Sequence, residues 1–476
     1  MFFDIMEKKS YYLSKIIYFG LIFFILSVNL ISVYFLPLES LKYLFLINFI
    51  LSVFVFFKLF GLYLYPIFIF IGTLTLFQGG LILYSIFHNI DLSFVWLMGA
   101  NFFASESTVR TSILSIILSY WFLLLGGYIG SINNKKRDIN KSKLKTEIMK
   151  NKIIKNLALL IFFLSLPLYI YKISIYFNFF LEYSYLAFYQ STEFAERVGF
   201  IIRVITFFTP LSFLVYFLLE EKKINILIIT FIFFFVSLPL LLSGFRGLFF
   251  TFWLTVFLFY KKKFNNNLSF KSLLILVSII SVLGLLVSLY RENVNNINLN
   301  ILFGKNPFLE FIGQQGVSFF VTVMATEFRD EFKDNILYYL IWEPISAIFP
   351  NALNTSGRAF ATDLMIKINY EGFLMGYGTG SSYLAESYLL GGVFGVALVS
   401  FLIGFILSKL FYYFDYVDIY KKVLIFTAIQ YIIYLPRDLL LMPLSQVIKS
   451  GIYMLLLYFI FNFIWQILIY KKKEKI

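Results

Sequence analysis

The sequence predicts an all-α polytopic membrane protein, a chain that crosses a lipid bilayer many times as helices. The chain has 476 residues, of which 60% are hydrophobic and only 14% are charged, whereas soluble domains carry roughly 25% charged residues. Apolar runs recur along its whole length, and many approach the roughly 20 residues that span a hydrocarbon core of about 30 Å. Short lysine-rich segments separate several of these runs.

The apolar runs predict about twelve transmembrane helices. The first run is too long for the core of a signal peptide, so we expect it to be retained as a helix. The predicted spans are 16–36, 42–60, 62–87, 111–132, 156–178, 198–219, 224–242, 248–260, 272–290, 383–409, 423–435 and 448–470.

The lysine-rich segments set the predicted orientation of these spans. The segments at 133–155, 222–223, 261–263 and 471–473 all fall on one side of the membrane if the spans alternate. The positive-inside rule places this side, and both chain termini, in the cytoplasm. Topology therefore explains the formal net charge of +14, which does not argue for nucleic-acid binding.

Arginine does not follow lysine in this topology. Twenty-five of the 31 lysines face the cytoplasm, whereas eight of the nine arginines lie in external segments or in the outer halves of helices. Arginine binds phosphate oxygens in a bidentate manner and stays charged when it is removed from water. The sorting predicts an anionic ligand that approaches from the outer side, although arginines in external loops could instead pair with external acids.

One large external segment divides the chain into three parts. Residues 1–290 form transmembrane helices 1–9, residues 291–382 form the external loop, and residues 383–476 form helices 10–12. Within the loop, Phe308 to Phe328 is apolar enough to predict an amphipathic helix lying on the membrane surface. A loop of this size on a membrane scaffold is where we expect a polar substrate to be handled.

Arg246 interrupts two apolar runs, within Ser243-Gly244-Phe245-Arg246-Gly247. The predicted span that follows, 248–260, covers only about 20 Å. If Lys261 marks the inner surface, Arg246 sits about 10 Å below the outer one. Irregular backbone at that depth is tolerated only against protein or a water-filled cavity.

A second break repeats this arrangement. Arg437 follows the equally short span 423–435, within Pro436-Arg437-Asp438, and Arg203 lies in the outer part of the span 198–219. Because an ionisable group inside a membrane suggests a functional site, these arginines predict an outward-opening cavity lined by guanidinium groups. Alternatively, Asp438 neutralises Arg437 as a structural ion pair.

Glu386 is the acidic counterpart, just inside the tenth span. It could form a structural pair with an arginine, or it could act as a general base or a positioning group for a sugar hydroxyl. Cysteine is absent, and His88 is the single histidine, so disulfides and histidine or thiolate metal sites are not expected. The segment from Gly376 to Gly380 lacks the lysine of a phosphate-binding loop.

The order of three short motifs resembles the Wzy-type O-antigen and capsular polysaccharide polymerases. The motifs are Ser243 to Gly247, the stretch from Gly378 to Gly395 that contains Glu386, and Pro436 to Leu439. A large, late external loop and many spans add to the resemblance, which covers most of the chain as architecture.

The resemblance implies a GT-C-like glycosyltransferase of the bacterial cytoplasmic membrane that needs no metal or other cofactor. It would join undecaprenyl-pyrophosphate-linked oligosaccharides at the outer leaflet and release undecaprenyl pyrophosphate, often beside a chain-length-regulating co-polymerase. We expect Arg246 and Arg437 to stabilise the leaving pyrophosphate, and Glu386, Glu343 or Asp363 to serve as the base. The other expected substrate-binding residues are Arg203, Arg291, Arg358, Ser243, Gly244, Gly247, Glu343 and Asp438.

Other functions fit the same architecture. An O-antigen ligase usually carries a histidine in its large outer loop, whereas His88 lies far from that loop. A lipid-linked-oligosaccharide flippase or transporter needs polar groups along its whole path, but the inner halves of these spans are apolar. A peptidoglycan-type polymerase with a catalytic loop aspartate is a further alternative.

Overall fold

The computed structural model describes residues 20–22, 24–61, 65–97, 101–132, 144–183, 198–243, 245–264, 284, 306–348, 359–375 and 377–473. These residues are mainly helical, with one antiparallel two-stranded ribbon formed by β1 (Phe94–Val95) and β2 (Phe102–Phe103). Nine helices among them are long and apolar enough to cross a membrane. The predicted fold class, an all-α polytopic membrane protein, is therefore confirmed.

The first half of the chain supplies helices α1 to α9. They are α1 (Gly20–Phe35), α2 (Leu38–Phe60), α3 (Pro66–Leu74), α4 (Gly80–His88), α5 (Glu106–Ile132), α6 (Leu144–Tyr183), α7 (Phe200–Leu219), α8 (Lys223–Leu242) and α9 (Arg246–Lys263). A π-helical turn, Thr75–Gly79, joins α3 to α4 so that the two form one continuous span.

The second half supplies helices α10 to α18. They are α10 (Pro307–Gly316), α11 (Phe319–Glu327), α12 (Arg329–Phe332), α13 (Ile336–Ile348), α14 (Phe360–Ile368), α15 (Tyr370–Leu374), α16 (Tyr383–Tyr413), α17 (Ile419–Tyr434) and α18 (Met442–Lys473). Helix α16 is kinked at Gly391 and Gly392, where Gly392 has a φ of 59°. The predicted span 272–290 lies outside the described residues apart from Gly284, so the count of twelve spans stays a prediction.

Helices α5 and α16 pack against each other at the centre of the fold. A Cβ atom on Gly126 would lie 1.9 Å from the carbonyl oxygen of Phe401, and one on Gly404 would lie 2.1 Å from that of Leu123. The absence of side chains lets the two backbones approach closely, as is typical of helix pairs in membranes. A hydroxyl pair, Ser119 with Ser400 at 3.0 Å, adds an interhelical hydrogen bond.

Lysines from several helices converge at one end of the bundle, called here the lysine-rich end. Lys155 of α6 forms a 3.1 Å ion pair with Glu220 after α7, and Lys262 of α9 forms a 3.0 Å ion pair with Asp415 after α16. Lys263 donates hydrogen bonds to the last carbonyl groups of α7. The helix ends that the basic segments predict to share one side therefore do lie together.

Glu220 is the central acid of this cluster. Burial alone would raise the pKa of its carboxyl group, but hydrogen bonds from the backbone N–H of Lys222, from Lys155 and from Tyr216 lower it to about 2. Glu220 therefore stays ionised at neutral pH and holds the ends of α6 and α7 together.

The prediction of a surface helix over Phe308 to Phe328 is wrong. The segment forms two helices, α10 and α11, and residues 319–325 are buried in the bundle. Gly80 and Gly316 allow α10 to pack directly on α4, because a Cβ atom on Gly316 would lie 1.9 Å from the backbone nitrogen of Leu81. The apolar face that suggested a membrane surface is covered by protein instead.

Candidate functional site

The end of the bundle opposite the lysine-rich end contains the two predicted arginine breaks. Helix α8 ends at Leu242 and α9 begins at Arg246, so a short connection reverses the chain. Ser243 is fully buried there. Its backbone N–H and its hydroxyl both donate to the carbonyl group of Pro239, at 2.9 and 2.8 Å. The structure thus gives Ser243 a contact that shapes the turn.

Arg246 lies at the N-terminus of α9, a position that favours an anion. Phe245 occupies the cap position and its side chain makes no capping hydrogen bond. The first N–H groups of a helix carry the positive end of its dipole, and Arg246 adds a full positive charge at the same place. The Arg246 side chain and the helix N-terminus would therefore both attract an anion.

The length of α9 differs from the sequence estimate. Helix α9 has 18 residues rather than the predicted thirteen, because it begins at Arg246 and continues through the three lysines. It therefore covers about 27 Å, close to the roughly 30 Å of a hydrocarbon core. The predicted depth of about 10 Å for Arg246, which is counted from Lys261 as the inner surface, stays a prediction.

Two aromatic side chains, Phe77 and Tyr434, connect the two breaks and are called here the aromatic pair. Their rings meet edge to face with centroids 5.9 Å apart. Gly247 packs directly on Tyr434, since a Cβ atom on this glycine would lie 2.1 Å from the hydroxyl oxygen. On the other side, the guanidinium group of Arg437 lies over the ring of Phe77 at 5.4 Å. The structure thus brings the Arg246 and Arg437 segments to the same pair of rings.

Arg437 is positioned by an amide side chain rather than by a carboxylate. It ends a 3-10 turn, Leu435–Arg437, that follows α17. Its Nη1 donates a 2.9 Å hydrogen bond to Oε1 of Gln315. Arg437 and Asp438 are both among the described residues and form no ion pair, so the alternative of mutual neutralisation is wrong. Within the described part of the chain, the guanidinium group of Arg437 therefore contacts an amide and an aromatic ring rather than a carboxylate.

Asp438 accepts a 2.9 Å hydrogen bond from the backbone N–H of Leu439. It also interacts electrostatically with Tyr431 on α17. The carboxylate therefore belongs to the same end of the bundle as Arg437, although it faces a different neighbour.

Glu386 is fully buried at the start of α16. Its Oε1 accepts a hydrogen bond from the hydroxyl of Ser381. Its Oε2 accepts one from the backbone N–H of Leu440, at 2.8 Å. Because Leu440 follows Arg437 by three residues, the carboxylate ties the Arg437 loop to α16. Both contacts fit a positioning role.

Gln78 is a central residue of the site that the sequence reasoning missed. It is fully buried within the π-helical turn, a type of irregularity that is frequent at functional sites. Its amide nitrogen donates to the carbonyl of Pro436 at 2.7 Å and to the hydroxyl of Ser382 at 3.0 Å. Its amide oxygen accepts from Thr322 at 2.8 Å. One side chain thereby connects four segments.

Gln315 was missed for the same reason as Gln78. Both are buried amides placed beside glycine in apolar runs, in Gln78-Gly79-Gly80 and in Gln315-Gly316. A buried amide must be hydrogen-bonded, and a glycine beside it permits a second helix to approach. A glutamine beside a glycine in an apolar run was therefore the sequence signal that could have identified both residues.

The structure describes the remaining predicted residues to different extents. Arg203 is exposed in the first turn of α7 and interacts electrostatically with Tyr176 of α6. Asp363 of α14 accepts a 2.8 Å hydrogen bond from the hydroxyl of Tyr339. Glu343 belongs to α13, but its side chain is outside the described part of the structure. The predicted residues that lie wholly outside the described residues are Gly244, Arg291 and Arg358.

The fold and the site define a class of protein: a helical membrane protein whose arginines and buried polar side chains meet at one end of the bundle. The particular family follows from comparison. The chain belongs to the O-antigen polysaccharide polymerase Wzy family, whose model matches residues 16–475. No curated protein and no solved structure matches the chain.

Proposed function

We propose that this protein polymerises undecaprenyl-pyrophosphate-linked oligosaccharide repeat units into a surface polysaccharide, such as O-antigen or capsule. Family membership supports the polymerase role in general. The reaction would transfer the growing glycan from one lipid carrier to the terminal sugar of a second lipid-linked repeat. The bond from the first sugar to its pyrophosphate breaks, a new glycosidic bond forms, and undecaprenyl pyrophosphate leaves.

The observation that carries this proposal is that Arg437 forms no ion pair with any other residue that the structure describes. A guanidinium group that rests on Phe77 and is oriented by the neutral Gln315 keeps its full charge for a substrate. Negative charge grows on the pyrophosphate as the glycosidic bond breaks, and fixed positive groups in a low-dielectric site stabilise such charge strongly. Arg246, at the uncapped N-terminus of α9, would bind the same group from the other side of the aromatic pair.

Glu386 would act as a positioning residue in this reaction. Its carboxylate fixes Leu440 and therefore the loop that carries Arg437. Arg437 would thereby be held in place before substrate binds, which reduces the reorganisation needed in the transition state. The acceptor hydroxyl needs a separate base, for which Asp363 and Glu343, two of the acids of the predicted loop, are the candidates.

The orientation follows from the same chemistry. The lysine-rich end would face the cytoplasm by the positive-inside rule, and both termini with it, in the bacterial cytoplasmic membrane. The arginine site would then face the outer leaflet, where flipped lipid-linked oligosaccharides are found. A GT-C-like mechanism without metal, and a partner that regulates chain length, complete the proposal.

Deletion of the gene tests the reaction type. We expect the deletion strain to lose long polymer while a single repeat unit is still attached to the final acceptor. Loss of every attached repeat would instead indicate a ligase or a flippase.

Substitution of the two arginines tests the proposed site. Arg246→Ala and Arg437→Ala should each abolish the polymer ladder at unchanged protein level in the membrane. Lys58→Ala is the matched control, because Lys58 also lies over an aromatic ring, that of Phe54 at 5.5 Å, but at the other end of the bundle. A normal ladder from either arginine variant would contradict the role given to that residue.

A further inference from the structure

A cavity of about 340 Å³ lies among α6, α7, α8, α9, α17 and α18, within the range of small-molecule sites. Its walls are mainly aromatic and aliphatic, with Tyr176, Phe207, Phe249 and Trp253 among them. Phe245, which precedes Arg246, also lines it. Such walls suit an apolar chain, and the cavity begins beside the arginine site without belonging to it.

Lys172 lines this cavity, and two further cations, Lys449 and Arg203, lie beside it. The ammonium group of Lys172 on α6 lies over the ring of Tyr176 at 5.5 Å, and that of Lys449 on α18 lies over the ring of Phe207 at 5.7 Å. Arg203 precedes Phe207 by four residues on α7 and therefore shares its helical face. The charge of Lys172 interacts with those of both Lys449 and Arg203.

The described part of the chain supplies no counter-ion to this set. None of the cavity-lining side chains is a carboxylate, and no ion pair is formed by Lys172, Arg203 or Lys449 with another described residue. Like charges held together at the edge of an apolar cavity repel one another, so an anion bound among them would stabilise the arrangement.

Lys172 and Arg203 lie at a height similar to that of Arg246. Seventeen residues separate Lys172 from Lys155, Arg203 from Glu220, and Arg246 from Lys263. Lys155 and Lys263 both contact Glu220 at the lysine-rich end, so these three residues mark one level. Seventeen residues of helix cover about 26 Å, so Lys172, Arg203 and Arg246 lie at a similar height above the lysine-rich end, a distance close to the roughly 30 Å of a hydrocarbon core.

We infer that Lys172, Arg203 and Lys449, together with the cavity below them, form a second binding site for a pyrophosphate that carries a long apolar chain. This inference rests on the proposed function, because that reaction requires two lipid-linked substrates at once. Arg246 and Arg437 hold the pyrophosphate that leaves. The second site holds the pyrophosphate of the other lipid, which remains attached to its glycan, and the aromatic walls receive part of its polyprenyl chain.

Binding stoichiometry tests the inference directly. The purified full-length protein is titrated with undecaprenyl pyrophosphate in detergent, and bound copies are counted by native mass spectrometry. We expect two bound copies for the wild-type protein and one for the double variant Lys172→Gln/Lys449→Gln. Each lysine lost should weaken the second binding event about tenfold, as expected for a charge-assisted contact.

The control variant removes a similar lysine from the same two helices. Lys150 of α6 lies over Tyr458 of α18 at 6.0 Å, so Lys150→Gln should leave both copies bound. The same titration with phosphatidylglycerol distinguishes a substrate site from a site for bulk anionic lipid, because only a substrate site prefers the polyprenyl pyrophosphate.

Three outcomes would overturn the inference. They are two bound copies for the double variant, a single copy for the wild-type protein, and equal binding of phosphatidylglycerol at the second site. Failure of the proposed function shows elsewhere, as unchanged long polymer in the deletion strain, so the two failures are distinguishable.

Discussion

Gly247→Ala should disturb the site through a single contact. A Cβ atom at this position would lie 2.1 Å from the hydroxyl oxygen of Tyr434 and 2.3 Å from two of its ring carbons. Carbon contacts are favourable near 3.5–4.0 Å, so the ring must move by more than about 1 Å. Tyr434 contacts Phe77, and the Arg437 guanidinium lies over the Phe77 ring. The movement is therefore passed to Arg437.

The expected magnitudes separate stability from function. Overpacking lowers the free energy of unfolding by about 1–3 kcal/mol, whereas replacing glycine by alanine in a helix raises it by about 1 kcal/mol. The net loss of stability is thus about 0–2 kcal/mol, too small to remove the protein from the membrane. A displacement of about 1 Å at a catalytic group can reduce the rate roughly 100-fold. Short polymers at nearly normal protein level are the expected result.

The assay compares polymer length on gels with the thermal unfolding midpoint of the purified protein. Gly72→Ala in α3 is the control, because a Cβ atom there meets nothing within 4 Å and should leave polymer length unchanged. In a Tyr434→Ala background, Gly247→Ala should cost nothing further, since the clashing ring is gone. Wild-type polymer from Gly247→Ala, or an equal loss in both backgrounds, would refute the reasoning.

Three further predictions follow from the same geometry. Gln78→Leu leaves its buried hydrogen-bond partners unsatisfied, at a cost of about 1–3 kcal/mol each. The variant should therefore have a lower unfolding midpoint and a lower polymer yield. Wild-type values of both would show that the amide contacts are dispensable. Glu386→Gln keeps the shape of the side chain and one of its two acceptor oxygens. A positioning role therefore predicts shortened but detectable polymer, whereas complete loss of polymer at normal protein level would indicate that Glu386 is a base. In this chain without cysteine, Asn89→Cys should react with an impermeant thiol reagent from outside the cell and Lys421→Cys should not; the reverse pattern would invert the proposed orientation.

Much of the architecture was predictable because a membrane imposes simple rules. The lengths of the apolar runs predicted the helices. The lysine-rich segments predicted a shared end of the bundle, where Lys155, Glu220 and Lys263 meet in the structure. Arg246 and Arg437 were recognisable at helix breaks because a charge beside glycine or proline interrupts an otherwise apolar pattern. These are local signals, and the structure places both arginines at helix ends.

The contacts that assemble the site were not predictable in this way. Gln78 binds Pro436 and Ser382 across more than 300 residues of sequence, and no periodicity encodes such a pairing. The burial of α11 was missed because an apolar face looks the same in sequence whether lipid or protein covers it. The length of α9 was underestimated because the helix begins at Arg246 and continues to Lys263. Lys262 pairs with the Asp415 carboxylate and Lys263 binds carbonyl groups, so these lysines do not end the helix.

Two arginines at the same end of the bundle show why charge alone does not identify the site. Arg110 donates to the carbonyl groups of Val33 and Leu36 at the end of α1, and it forms an ion pair with Glu106. Its charge is neutralised and its donors are used for structure. Arg437 instead has an amide partner and an aromatic face, which orient the guanidinium group without cancelling its charge. Since an arginine must keep its charge to stabilise a leaving pyrophosphate, the neutral partners of Arg437, and not its position in a membrane protein, are what make it a candidate catalytic residue.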